Sequence, residues 1–291
     1  VGSYALTSAT TANYNTAVGT NALWTNTFAD YNTAVGYDAL CSTTTGERNT
    51  AIGACALQLN TIGKCNVAVG SYALRKNTTG CQNIAIGDAA LYGNTTGRFN
   101  TAIGGSALQT GTGGQSNTAI GYQALEDTTT GSYNTAVGVA SLANITTGGK
   151  NTALGFQSAI VTTTGCNNVA VGAYAFHQNS GGSQNTAVGY GAACKQSTGN
   201  DNTAVGFQAL MGNCTCTGNV AIGKDALKTH TSPLENVAIG LCAMGVGNSN
   251  YTNCNVAIGS CSLMNVGNGD VNVAVGAQAG CAITTGGSNV L

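Results

Sequence analysis

The sequence predicts an all-β protein, a parallel β-solenoid of about seventeen coils with 17 residues each. A pentad such as Asn32-Thr33-Ala34-Val35-Gly36 recurs along the whole chain, and its Asn is spaced by 17 residues from Asn15 to Asn236, by 19 to Asn255 and by 17 to Asn289. Repetition at a fixed period is typical of a solenoid. The pentad residues are β-branched or small and uncharged, which favours a short strand. The 43 glycines stand at fixed places in the repeat, which excludes a collagen triplet.

The pentad defines the numbering of the repeat, with its Asn at position 0. A strand over positions 1 to 4 turns positions 1 and 3 to one face and positions 2 and 4 to the other. Both faces are apolar, so we expect the second face to be covered too, most simply by another copy of the chain. Val35 and its equivalents at position 3 are expected to be buried, and Val137→Asp would then place a charge in the core.

The rest of the repeat predicts a second strand and a turn. Positions 7 and 8 commonly read Ala-Leu, as at Ala39-Leu40, which predicts a strand over positions 6 to 9 with the Leu as core filler. Positions 12 to 14 often read Thr-Thr-Gly, as at Thr44-Thr45-Gly46, where a Gly can close a turn with positive φ. The Asn at position 0 is expected to form an amide ladder from coil to coil.

We interpret residues 1–291 as a single repeat domain, because each coil of a solenoid needs only its neighbours. Coils about 4.8 Å apart would give a rod of about 80 Å. The two-residue insertion lies between Gly245 and Cys254 and predicts a protruding loop there.

A family resemblance rests on pentads such as Asn66-Val67-Ala68-Val69-Gly70 and Asn219-Val220-Ala221-Ile222-Gly223. They are similar to the head repeats of trimeric autotransporter adhesins and to repeats of phage and giant-virus fibres. The resemblance implies a left-handed parallel β-roll with three chains around a common axis. The present repeat departs from that family in its longer coil, its Thr-Thr-Gly turn and its cysteines.

Composition bounds the chemistry of the chain. Only 7% of residues are charged and the net charge is −1, which excludes the basic surface that nucleic acid or an anionic membrane requires. No apolar run is long enough for a membrane-spanning helix. The scattered carboxylates form no recurrent pair, so we do not expect an enzyme, and no turn series supplies a metal cage or a cofactor site. His177 and His230 are interpreted as solvated surface residues.

Twelve cysteines without a CxxC pair favour an oxidising, extracellular setting, on a cell or virion surface. Equivalent positions of successive coils lie close together, so Cys242 and Cys261, both at position 6, form the first candidate disulfide. Cys65 and Cys81, near the ends of adjacent coils, form the second.

Two further surface features concern ligands. Five glycosylation sequons fall in or near the same turn, although Asn and Thr also suit turns for conformational reasons; their acceptors are Asn77, Asn94, Asn144, Asn213 and Asn250. Aromatic residues at positions 5 and 6 could bind a glycan or a host receptor, or could pack against another chain; they include Tyr37, Tyr122, Phe156, Tyr174, Tyr190 and Phe207.

These observations predict a structural fibre protein, with adhesion as an additional role, whose partner is itself, as a homotrimer, a head-to-tail filament or both. If one copy follows another, Asn289-Val290-Leu291 and Val1-Gly2 together form the pentad Asn-Val-Leu-Val-Gly and preserve the 17-residue register. This match is expected of a head-to-tail filament, and equally of a repeat-aligned slice of a longer polypeptide. The alternative is a ligand-binding solenoid, in its sharpest form an ice-binding one. Thr occupies position 1 in nine repeats, but the sequence lacks a paired Thr-x-Thr.

Overall fold

A computed structural model describes residues 1–212, 215–247 and 252–291 and has the predicted all-β fold. Sixteen parallel three-residue strands follow one another at the repeat spacing, and the described residues contain no helix. The strands are β1 (Thr16–Val18), β2 (Thr33–Val35), β3 (Thr50–Ile52), β4 (Val67–Val69), β5 (Ile84–Ile86), β6 (Thr101–Ile103), β7 (Thr118–Ile120), β8 (Thr135–Val137), β9 (Thr152–Leu154), β10 (Val169–Val171), β11 (Thr186–Val188), β12 (Thr203–Val205), β13 (Val220–Ile222), β14 (Val237–Ile239), β15 (Val256–Ile258) and β16 (Val273–Val275).

The chain forms two compact units, Val1–Thr147 with β1 to β8 and Gly148–Leu291 with β9 to β16. Within each unit every strand pairs with the next strand in the sequence, parallel and in register. Equivalent residues of successive coils therefore stack on one another. Each unit is a β-solenoid whose backbone hydrogen bonds run from coil to coil, as the repeat period predicts.

Glycine at position 4 ends each strand one residue earlier than predicted. Gly36 has φ 139°, a conformation that L side chains rarely adopt. A Cβ atom on Gly36 would also collide with the carbonyl group of Gly53 in the next coil. The strand therefore covers positions 1 to 3, and the glycine turns the chain away from the sheet.

The strand turns one side chain inward and two outward, opposite to the predicted orientation. Ala34 at position 2 is fully buried, whereas Thr33 and Val35 are only half-buried. At the same position as Val35, Ile52 is 41% exposed. The prediction that position 3 is buried is therefore wrong for the single chain. The narrow interior of the coil has room for the methyl group of the alanine at position 2, and the side chains at positions 1 and 3 point outward. Val137→Asp consequently puts its charge on the outer surface.

The predicted second strand is also wrong, because positions 5 to 8 form stacked turns. Asp38 at position 6 has φ 55° and Leu40 at position 8 has φ 50°, both in the left-handed region. A residue in that region cannot continue a strand. The predicted role of position 8 as core filler is confirmed, since Leu40, Phe176 and Met244 are fully buried.

The Thr-Thr-Gly turn closes by a different route from the predicted one. Gly46 does not adopt a left-handed φ; it is required for its size, because a Cβ atom would collide with the carbonyl oxygen of Gly63 in the next coil. The left-handed residue of this turn is at position 16, for example Arg48 with φ 59°. Most coils thus have non-glycine left-handed residues at positions 6, 8 and 16, which stacking must stabilise.

The predicted asparagine ladder is confirmed. Asn49 is fully buried, and its Nδ2 donates to the carbonyl of Gly63 at 2.8 Å, which joins the start of a coil to its end. Its Oδ1 accepts from the backbone N–H of Asn66 at 2.9 Å and from Asn66 Nδ2 at 3.1 Å. Each amide therefore closes its own coil and binds the next one.

A second, shorter amide ladder lies at position 11. Asn60, Asn77 and Asn94 are buried there, and Asn77 Nδ2 donates to Asn60 Oδ1 at 2.7 Å and to Gly80 O at 3.0 Å. The interior of these coils is consequently partly polar: alanine and leucine side chains fill one part of the coil, and hydrogen-bonded amides fill another.

The 19-residue coil closes with the same bond as the regular ones. Asn236 Nδ2 donates to Thr252 O at 2.7 Å, as Asn219 Nδ2 donates to the carbonyl of Pro233 at 2.8 Å. The insertion is therefore accommodated without loss of the ladder. The predicted protruding loop falls largely on residues 248–251, outside the described residues.

Candidate functional surfaces

The outer face of each sheet, formed by positions 1 and 3 of the strands, carries no charged residue. Its side chains are threonine, valine, isoleucine and leucine only. Ile103 and Ile120 are 37% and 38% exposed on adjacent strands of the first unit, and Ile222 is equally exposed in the second. In-register pairing aligns these side chains in two rows along the sheet. An apolar, uncharged surface of this regularity is typical of a contact with another surface.

A second apolar surface lies beside the sheet in the second unit. Phe156, Tyr174, Tyr190 and Phe207 belong to four successive coils, and we call these four residues the aromatic stripe. Their ring centroids follow one another at 5.4, 5.7 and 5.5 Å. The rings of Tyr190 and Phe207 are stacked, whereas Tyr174 meets both of its neighbours edge-on.

The aromatic residues predicted as one group are thus separated by the structure. Tyr37 and Tyr122 in the first unit are each 55% exposed, and within the described residues neither ring contacts another aromatic ring. The four residues of the aromatic stripe lie together because each of four consecutive coils has an aromatic residue at position 5 or position 6. A survey of consecutive coils would have separated the stripe from the isolated tyrosines.

Polar side chains border the aromatic stripe. The imidazole of His177 lies 5.5 Å from the ring of Tyr174, and burial lowers the pKa of His177 below its usual value. Gln157 and Gln208 stand at position 6 of the coils that carry Phe156 and Phe207, and both are half-buried. The Cγ of Gln208 lies over Gly191, at 3.6 Å from where a Cβ atom would stand.

At one end of the stripe, Lys224 forms a salt bridge with Asp225. Lys224 Nζ lies 6.0 Å from the ring centroid of Phe207 and donates to Asp225 Oδ2 at 2.8 Å. Lys228 Nζ contacts Asp225 Oδ1 at 2.9 Å. Burial tends to raise the pKa of Asp225, but the hydrogen bonds from both lysines outweigh it and the pKa is lowered.

The described residues contain no group of three or more His, Cys, Asp or Glu side chains arranged for a metal ion. His177 is half-buried, while His230 is fully buried at position 11, so the interpretation of His230 as a surface residue is wrong. Nε2 of His230 lies 3.2 Å from Val266 O, two coils away, across the space that Gly247 leaves at the intervening position 11. The imidazole therefore fills a gap in the core.

Neither predicted disulfide is formed. Cys65, Cys81, Cys242 and Cys261 are all free thiols. Cys242 and Cys261 have nearly the same φ, 51° and 57°, because they occupy the same position of successive coils. Cys81 Sγ is engaged locally, accepting from Lys64 N at 3.4 Å and donating to Thr79 O at 3.3 Å. The two predicted pairings are therefore wrong, while Cys216 is disulfide-bonded and the extracellular setting stays a prediction.

The sequons occupy different environments. Asn77 and Asn94 are buried in the ladder at position 11, where Nδ2 already donates two hydrogen bonds in each residue. A glycan on either Nδ2 would require the coil to open. Asn144 is half-buried and remains a predicted acceptor, while Asn213 and Asn250 lie outside the described residues.

Comparison with known proteins adds no assignment: no protein-family model matches the chain, and no curated protein is significantly similar to it. A search of the described residues finds no helix of the length and hydropathy needed to cross a bilayer.

Proposed function

We propose that this protein is a structural fibre component that self-associates through the outer faces of its parallel sheets. The observation that carries the proposal is the uncharged apolar row formed by positions 1 and 3 of the strands, which the single chain leaves half-exposed. Burying such a row removes apolar area from water without desolvating a charge. The proposed partner is a second copy, because every strand of the repeat presents the same row.

The area of the outer face of one unit suits a weak interface. Eight strands about 4.8 Å apart and three residues of about 3.3 Å each give an outer face of about 380 Å² per unit. Each unit thus offers about half of the roughly 800 Å² that each partner contributes to a standard interface. Self-association therefore needs most of the row, and interruption by a charge should be effective.

The resemblance of the pentads to adhesin head repeats and to viral fibre repeats supports a trimer and an extracellular or virion-surface location. In that family three chains pack around a common axis, which would cover one face of each solenoid. Membership in the family, the adhesive role and the location belong to this proposal. The head-to-tail contact belongs to it too.

The test is to place charge on the row. Ile103→Lys combined with Ile120→Lys changes two half-exposed side chains and leaves the coil interior intact, so the variant should retain the fold. Sedimentation velocity of the wild type should show a trimer or larger assembly, and electron micrographs should show fibres. The double variant should be monomeric with an unchanged circular dichroism spectrum.

A matched control adds the same charge elsewhere. Thr96→Lys with Thr130→Lys changes two exposed residues at position 13 of the turn and should leave the assembly intact. A wild type that remains monomeric at high concentration, or equal dissociation in both double variants, would contradict the proposal.

Ice binding is the second candidate, favoured by one observation. Thr101, Thr118 and Thr135 line up in register on the outward face, each beside an exposed or half-exposed aliphatic residue at position 3. A regular array of hydroxyl and methyl groups is thus open to solvent. Thermal hysteresis of the wild-type protein, lost on Thr118→Lys, would favour this candidate over the fibre.

A further inference from the structure

We infer that the aromatic stripe of the second unit binds a neutral oligosaccharide chain along its four rings. This activity is independent of self-association through the sheet face. The stripe is an exposed feature, since Phe156, Tyr190 and Phe207 are 44%, 50% and 45% exposed. The hydrophobic core is complete without these rings, because Leu, Phe and Ala side chains at positions 7 and 8 already fill the coil interior.

The spacing of the rings suits a chain of sugars. Successive centroids lie 5.4 to 5.7 Å apart, which is close to the length of one pyranose residue in an extended glycan. A pyranose has one face of C–H groups that packs on an aromatic ring, and the positive hydrogens meet the negative ring face. Parallel stacking of the coils fixes the repeat of the rings, so an extended chain could contact several of them at once.

The border of the stripe supplies hydrogen-bonding groups for hydroxyls. Gln157 and Gln208 are half-buried, and each side-chain amide has both donors and an acceptor. His177 has a lowered pKa because of burial, so near neutral pH its imidazole also offers one donor and one acceptor. Groups that both donate and accept match sugar hydroxyls, which do the same.

Charge separates a neutral sugar from other ligands of aromatic surfaces. Proteins that stack nucleic-acid bases combine aromatic rings with a basic groove. Here the only cation against a ring of the described stripe is Lys224, whose ammonium is held by Asp225 at 2.8 Å. The protein as a whole has a net charge of −1. A polyanion would therefore find little electrostatic attraction at this surface, whereas binding of a neutral glycan does not depend on positively charged side chains.

A second copy of the chain fits the aromatic stripe less well. Tyr174 is turned edge-on to both Phe156 and Tyr190, with interplanar angles of 83° and 78°, so the stripe does not present a flat surface for close packing of two chains. A flexible glycan can follow such a change of ring orientation by rotation about its glycosidic bonds.

The experiment measures binding of the full chain to cellohexaose, chitohexaose and laminarihexaose by isothermal titration calorimetry. At least one of them should bind in the millimolar range or tighter. Tyr190→Ala should weaken that binding at least tenfold, while Tyr190→Phe, which retains the ring, should weaken it less than threefold. Tyr122→Ala is the matched control, since Tyr122 is an isolated tyrosine at the same repeat position and its loss should change nothing.

Three outcomes would overturn the inference. The first is the absence of binding by all three hexasaccharides, and the second is an equal loss in Tyr122→Ala and Tyr190→Ala. The third is tighter binding of oligo-dT than of any glycan. If no glycan binds and Tyr190→Ala lowers the sedimentation coefficient of the assembly, the stripe is an interchain contact and the glycan site is refuted.

Discussion

Asn100→Ala should be far more destabilising than its size suggests, because the side chain serves two coils at once. Asn100 is 2% exposed, and its Nδ2 donates to Gly114 O at 2.8 Å and to Asn83 Oδ1 at 3.2 Å. Its Oδ1 accepts from the backbone N–H of Asn117 at 3.0 Å and from Asn117 Nδ2 at 3.2 Å. Alanine removes all four bonds.

The expected loss in the free energy of unfolding depends on which buried polar groups Asn100→Ala leaves without a hydrogen bond. Asn117 Nδ2 retains Gly131 O at 2.9 Å, and Asn83 Oδ1 retains the backbone N–H of Asn100 at 3.0 Å. The N–H of Asn117 and the carbonyl of Gly114 lose the bonds that Asn100 gives them. A buried polar group without a partner costs about 1–3 kcal/mol, so the expected loss is about 2–6 kcal/mol in the free energy of unfolding.

The assay must resolve single coils, because a repeat protein can open locally instead of unfolding as one unit. Hydrogen exchange should show loss of protection at the amide of Asn117, together with a lower denaturation midpoint. Thr101→Ala is the control, because it truncates the neighbouring half-exposed side chain and should change stability by less than about 0.5 kcal/mol.

Asn100→Asp distinguishes the hydrogen bonds that the side chain accepts from those that it donates. The carboxylate can still accept from the N–H of Asn117, but it cannot donate to Gly114 O. Protection at Asn117 should therefore persist while global stability falls. Unchanged exchange at Asn117 in Asn100→Ala, with an unchanged midpoint, would refute the idea that the ladder holds adjacent coils together.

Two further predictions concern backbone conformation and pH. Ser106 at position 6 has φ 56°, in the left-handed region. Ser106→Val should lower the free energy of unfolding by about 1–2 kcal/mol, because a β-branched residue is disfavoured in that region. Thr101→Val in the strand should be tolerated, and equal denaturation midpoints of the two variants would contradict this reasoning. Burial, opposed by a weaker hydrogen bond to Val266 O, holds the pKa of His230 below its ordinary value of about 6.5, so the imidazole stabilises the fold above that pH and loses the contribution as pH falls through the folded-state pKa. Thermal melts from about pH 7.5 to about pH 5 should show a steeper loss in the wild type than in His230→Asn. His177→Asn should flatten the curve less, because the pKa of His177 is also lowered by burial but this side chain is less buried than His230. Parallel curves for the wild type and His230→Asn would be evidence against a titrating core histidine.

The repeat period alone predicts much of the fold. The strand at the pentad, the asparagine ladder and the leucine core all follow from one principle: equivalent residues of a solenoid stack. A buried polar side chain that is present in every coil must bond to its own copies or to the backbone, and Asn49 does both. These features depend on periodicity alone.

The orientation of the strand did not follow from periodicity, because both of its faces are apolar. Size was the available signal: position 2 is alanine in every strand, whereas position 3 varies among Val35, Ile52 and Leu154. An interior position bounded by the opposite wall of a narrow coil accepts one size, while an outer position accepts several. The invariant alanine therefore marked the inside.

The second predicted strand failed for a reason that was also visible in the residues. Position 8 is Leu, Phe, Met, Ala or Gly, as at Leu40, Phe176 and Met244, and never Val, Ile or Thr. β-Branched residues favour strands and are disfavoured in the left-handed region, so their absence from an apolar position argues against a strand. Hydrophobicity was correctly interpreted as burial but wrongly as strand.

The direction of the bonds has a consequence for how stability is distributed. Within a coil the amide at position 0 makes one closing bond, as from Asn49 to Gly63, whereas its remaining bonds and the sheet bonds go to the neighbouring coils. An isolated coil would retain its left-handed residues and lose the bonds that compensate for them. The stability of each coil thus depends on its coupling to the neighbouring coils. A substitution that breaks one ladder bond should therefore weaken the coil on each side of it, which makes the Asn117 amide an informative reporter for Asn100→Ala.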